Sequence, residues 1–186
     1  MKWMGFSLAL MFLLGLQGCA STSTSSEPQA KQVGTLDGAP VIRKTVSRAT
    51  YFTGEYTLPV ADIRVETKSM AEKVAIAAVK KAKLDIVGPL TLFLPDWKNQ
   101  TADEATIGVG YPVVGSGQMV PQFQQGSKPS LDCLSVTRRA GGDNQGVWEQ
   151  LYVIADQQGL QTNGDNRTVI TPMAGGYQVE LQLGLQ

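Results

Sequence analysis

The sequence predicts an α+β domain of two strand-helix-strand-strand modules related by a pseudo-twofold, in which one antiparallel sheet carries two helices on one side. Three observations predict it. Apolar residues recur at helical spacing over 69–83 and again over 145–158. Each of these windows is followed by two runs rich in β-branched and aromatic residues. Between the halves, 41–114 and 131–186, residues 115–130 are polar and carry Pro121, Gly126 and Pro129, the composition of a link. One such module buries a single face of its small sheet, so pairing two completes a core and leaves a groove between them.

Taken in order, the chain begins with Lys2 and an apolar run from Phe6 to Leu16, too short for a comfortable membrane span. It closes on Leu16-Gln17-Gly18-Cys19, which resembles the lipobox of bacterial lipoproteins. That resemblance implies a signal peptide over 1–18, a Cys19 that is diacylated on sulfur and acylated on its new amino group, and an effectively permanent membrane anchor. Residues 19–38, opening Ala20-Ser21-Thr22-Ser23-Thr24-Ser25-Ser26, offer few large apolar side chains and predict a flexible tether. No aspartate follows Cys19, so the lipoprotein sorting rule this resembles implies the outer membrane, with the domain facing the periplasm.

Residues 39–186 form the domain. Val41, Ile42, Val46, Tyr51 and Phe52 predict an entering strand that Thr53-Gly54 breaks. Ser69-Met70-Ala71-Glu72 fits a capping box, so a helix is expected from there to about Lys83, with Ala71, Val74, Ala75, Ala78, Val79 and Ala82 on one face and its small alanines packed closely on a sheet. Strands follow at Thr91-Leu92-Phe93-Leu94 and over 104–114. The glycines of Ile107-Gly108-Val109-Gly110 invite a phosphate-loop reading, but no helical pattern follows them. The second half repeats the scheme: a strand over 131–139, a helix ended by Gly159, then strands over 166–171 and 177–183.

Composition excludes much chemistry. Histidine is absent from all 186 residues, which removes the commonest general base, zinc ligand and haem ligand together. No cofactor is expected. After loss of the signal peptide, which carries only Lys2, 16 basic residues become 15 against 16 acidic, so nothing attracts nucleic acid. Besides Cys19 the chain has one thiol, Cys133, which cannot form an internal disulfide and reads as core filling.

The run Leu151-Tyr152-Val153-Ile154-Ala155-Asp156-Gln157-Gln158-Gly159-Leu160, the ending Val179-Glu180-Leu181-Gln182-Leu183, and Gly54-Glu55-Tyr56, Val87-Gly88-Pro89 and Ile107 to Val113 in the first half resemble the gyrase-inhibitor-like small-molecule-binding domain. That domain is also the effector-binding part of multidrug-responsive regulators and is similar in fold to the SOUL haem-binding proteins. The resemblance implies a receptor for greasy, often cationic molecules held between aromatic rings, with a buried glutamate as counter-charge. Here the family's Glu-x-Tyr falls on Thr168 and Ile170, so both functional side chains are missing. Some relatives hydrolyse lipophilic compounds with that glutamate, so the departure counts against an enzyme.

These readings give a monomeric, non-catalytic, lipid-anchored envelope protein that binds a small apolar or amphipathic molecule between its modules. The candidate ligand residues are Tyr56, Phe93, Tyr111, Trp148, Tyr152 and Glu180. The alternatives are a scaffold or partner-binding lipoprotein with a filled groove, and a degenerate hydrolase using Glu104 or Glu180 as base. A solvent-accessible pocket between the modules would separate the first two.

Overall fold

A computed structural model of the chain describes residues 30–98, 103–141 and 144–186. The signal peptide, the lipobox with Cys19 and the Ser/Thr run lie outside the described residues. The strands are β1 (Lys31–Leu36), β2 (Ala39–Val46) and β3 (Ala49–Pro59), then, beyond α1 (Ile63–Ile76), β4 (Asp85–Ile86), β5 (Leu90–Leu94), β6 (Glu104–Val114), β7 (Phe123–Lys128) and β8 (Leu131–Arg139). Helix α2 (Gln145–Gln157), β9 (Thr162–Met173) and β10 (Gly176–Leu185) complete the order. All strand pairs are antiparallel, and the sheet runs β1-β2-β8-β10-β9-β5-β6-β3-β7 with β4 beside β6. It is the predicted α+β fold with two repeated modules, β3-α1-β5-β6 and β8-α2-β9-β10.

The modules are joined at two seams. At the first, β5 pairs with β9 from Leu90↔Ile170 to Leu94↔Asn166. At the second, β2 and β3 form a nearly continuous ribbon against β8 and β7, holding one register from Val41↔Val136 through Val46↔Leu131 and Ala49↔Lys128 to Gly54↔Phe123. Each module's leading strand therefore pairs with the other module's sheet: β2 runs into β3 but lies on β8, and β7 runs into β8 but lies on β3.

Both helices cover the same face. Thr168 on β9 is in register with Leu92 on one side and Leu181 on the other. Residues paired in this way share a face. Leu92 belongs to the core under α1, with Phe52, Met70, Val74, Ile107 and Val109, whereas Leu181 belongs to the core under α2, with Val136, Trp148, Leu151 and Leu183. Leu94, Trp97 and Ile170 pack against both.

Four sequence expectations are corrected. Lys31–Leu36 is a strand, not the end of a tether: Asp37 and Gly38 both take positive φ, 51° and 79°, the turn that closes a two-residue hairpin, and Leu36 is then buried. Gly54 does not end a strand. Its missing side chain lets the Phe123 ring lie over it, where a Cβ would stand 3.1 Å from that ring. The third correction concerns α1, which starts at Ile63 after a 3-10 turn at Val60–Asp62, so Ser69 is inside the helix and caps nothing. The Thr67 hydroxyl donates to the Ile63 carbonyl at 2.6 Å, a bond within the first turn and upstream of the apparent capping box. Finally, the link holds β7, anchored by Phe123 stacked on Phe52 at 5.5 Å. The C-terminal helix ends were legible: α1 continues through a π-helical turn at Ala77–Ala82 to Lys83, left-handed at φ 62°, and α2 stops before Gly159 at φ 66°.

Candidate functional site

The strip of sheet between the cores under α1 and α2, where a groove is expected, is the β5/β9 seam. Leu90, Leu92 and Leu94 alternate on β5, and Asn166, Thr168 and Ile170 alternate on β9, all on the helix side. Thr168, where the family resemblance places a glutamate, is at the midline and 5 % exposed; Ile170, at the family's tyrosine position, bridges both cores.

One end of this groove is polar and tightly bonded. Tyr152 donates its hydroxyl to Asp96 Oδ1 at 2.6 Å and accepts from Asn166 Nδ2 at 2.9 Å. Asn166 Nδ2 also donates to the Pro95 carbonyl at 3.0 Å. Burial, reinforced by the hydrogen bond to the Asp96 carboxylate, pushes the Tyr152 hydroxyl up to about 12. One turn further along α2, Asp156 pairs with Lys98 at 3.1 Å. The segment leaving β5 is thus fixed to α2 on both sides of Trp97, and the Trp97 ring reaches both cores. The Trp97 Nε1–H and Asn166 Oδ1 are buried there without a hydrogen-bond partner.

The predicted ligand residues divide. Tyr152 stands at the polar end of the groove and Trp148 packs in the core beneath α2. Tyr56 and Tyr111 pack beside the α1 core, each with its hydroxyl pKa raised by burial, Tyr111 further raised by Glu72 and then Tyr177. Phe93 and Glu180 are on the other face of the sheet, because Leu92, Leu94, Val179 and Leu181 occupy the helix face. Composition could not bring those two into the groove: a strand alternates its side chains, and their immediate neighbours are core.

That other face is a packed polar surface. Glu180 pairs with Lys44 at 2.6 Å and accepts from Gln182 Nε2 at 3.0 Å. Arg167, 1 % exposed, donates from Nε and Nη2 to Asp165 at 3.1 and 2.7 Å. Phe93 lies edge-on to Tyr51 at 5.1 Å, with the Lys128 ammonium 4.8 Å and the Arg167 guanidinium 5.6 Å from its ring centre. Cys133 is fully buried here and burial pushes its thiol up to about 12. Glu104, the other hydrolase candidate, opens β6 and is exposed. Neither candidate base is in the groove.

Trp97 and Asn166 are the groove residues that sequence reasoning missed. Trp97 follows Pro95-Asp96, a strand terminator, and so reads as loop; Asn166 reads as the start of a strand. Two surface concavities, of about 190 Å³ beside Leu36, Ala39 and Arg138 and about 470 Å³ beside Phe52, Val120 and Phe123, lie away from this groove.

No protein-family model matches this chain, and no curated protein matches it. Among solved structures it is similar to the EcmrR C-terminal domain, with a TM-score of 0.67 at 10 % identity over 80 % of this chain and 98 % of that one. It matches EcmrR in its DNA complex with a TM-score of 0.68 at 10 % identity, over 80 % of this chain and 57 % of that one. An uncharacterized conserved protein from Listeria innocua gives a TM-score of 0.51 at 12 % identity over 77 % and 91 %. The fold is the gyrase-inhibitor-like type of α+β fold, shared with the C-terminal domain of EcmrR.

Proposed function

We propose that this chain is a monomeric lipoprotein of the cell envelope, held at the outer membrane by acylated Cys19, whose folded domain binds a small uncharged apolar or amphipathic molecule between α1 and α2 without converting it. The carrying observation is the midline of the groove: where the resembled family places a carboxylate, Thr168 stands between Leu92 and Leu181, so the midline carries no charge. Losing that carboxylate removes both the counter-charge for a cation and the base of a hydrolase, while apolar contact area remains. Of the two other carboxylates considered as bases, Glu180 is paired with Lys44 on the opposite face and Glu104 is at the exposed start of β6.

A second reading has a specific observation in its favour. Trp97 already fills part of the space between the two cores, and the two surface concavities are elsewhere, which fits a scaffold whose groove is closed by its own side chains. Native mass spectrometry of the protein released gently from its own envelope separates the two. The binding reading expects a co-purifying adduct lost on denaturation, and melting temperature raised by neutral lipophilic compounds. Bare protein whose melting temperature no compound in such a panel moves supports the scaffold.

A further inference from the structure

Resting on the binding reading above, we infer that the end of the groove beside Trp97 selects an uncharged head group that accepts one hydrogen bond and donates another, such as a primary amide, with the apolar part of the ligand lying along β5 and β9. Two buried polar atoms without partners belong to residues that are in one bonded knot there, Asn166, or next to it in the chain, Trp97. Asn166 is fully buried, and both hydrogens of its amide nitrogen are spent on Tyr152 and Pro95, so its side chain has only Oδ1 left, an acceptor without a partner. Trp97 is two residues beyond Pro95 and one beyond Asp96, which binds the same Tyr152 hydroxyl, and its indole N–H is a donor without a partner.

Leaving a buried donor or acceptor unpaired is costly, whereas a molecule that meets both recovers that cost. A primary amide offers its carbonyl to the indole and an N–H to Asn166 Oδ1. Charged heads fit less well. A carboxylate would be placed beside Asp96, a like charge in a poorly solvated site. A cation would meet the Lys98 ammonium, which pairs with Asp156 and stands 6.0 Å from the Tyr152 ring centre, a like charge at this end. A third unpartnered atom, Gln182 Oε1, lies on the other face of the sheet and takes no part.

A series with one tail tests this: 4-phenylbutanamide, butylbenzene, 4-phenylbutanoate and 3-phenylpropyltrimethylammonium, titrated by calorimetry into the protein in lipid nanodiscs, with empty discs as reference. The amide should bind more tightly than the other three, by about 5- to 30-fold over butylbenzene. Trp97→Phe, which keeps most of the ring area and deletes the donor, should remove most of that advantage, read as the ratio of amide to butylbenzene affinity in the same variant. In the wild type, the Trp97 indole proton resonance should move downfield with the amide and not with butylbenzene, a readout that needs no variant. Saturable butylbenzene binding with no preference for the amide, a tighter charged analogue, or an amide preference that survives Trp97→Phe overturns the head-group assignment alone. Saturable binding by none of the four overturns it together with the binding reading.

Discussion

Cys133 shows how burial decides what a side chain can do. It is fully buried on β8, the strand between β2 and β10, and burial raises its pKa from an ordinary 9.0 to about 12. A thiol reagent at pH 8 should leave it unmodified in the native protein and modify it stoichiometrically in guanidinium; rapid native labelling would contradict the packing described. The same raised values predict a pH effect of definite sign. Groups whose proton is held more tightly in the folded than in the unfolded chain add stability that is complete below the unfolded pKa and lost as pH rises toward the folded one. Cys133 therefore weakens the fold as pH passes 9 toward 12, and Tyr152, raised from 10.0 to about 12, adds to the loss above 10. In Cys133→Ala, chemical denaturation should show the alkaline decline beginning near pH 10 instead of 9. An unchanged onset would mean that Cys133 titrates equally in both states.

Among the elements, β6 sets the sheet's close packing. A Cβ at Gly110 would meet Thr53 Cγ2 at 2.5 Å and the Phe52 carbonyl at 2.8 Å, both on the neighbouring strand, whereas one at Gly126 would meet nothing within 4 Å. Gly110→Ala should cost about 1–3 kcal/mol in urea denaturation and Gly126→Ala much less; equal costs would show that β6 and β3 can move apart freely. Such packing glycines also explain which elements the sequence disclosed. Periodicity found both helix cores, and strands such as β8 and β10 showed themselves by β-branched and apolar content. Gly54 and Gly110 look identical to turn glycines in sequence, because what they accommodate is a ring or a methyl from a residue far along the chain. Strands β1 and β7 were hidden for a related reason: each is a polar strand fixed by a few contacts, Leu36 and Val33 under α2 for one, Phe123 on Phe52 for the other. The site was half legible. Tyr152 and Thr168 could be placed by resemblance, but Trp97 and Asn166 gain meaning only when β5 and β9 pair.

At the scale of the whole molecule, two modules with separate cores share a seam, and the function proposed belongs to that seam rather than to either half. The lipobox adds a place to it: Cys19→Ala should give protein that fails to mature and no longer fractionates with the outer membrane, and normal maturation of the variant would remove the anchor from the proposal. The central claim is that an uncharged apolar molecule occupies the groove between α1 and α2. Photoaffinity labelling with a neutral alkyl diazirine, followed by mapping of the modified peptides, tests it most directly. The account predicts saturable labelling, blocked by an excess of unlabelled alkyl compound, on the β5 and β9 peptides that carry Leu92, Trp97, Thr168 and Ile170. Labelling confined to the surface concavities beside Leu36 and Val120, or labelling that no competitor reduces, would contradict it.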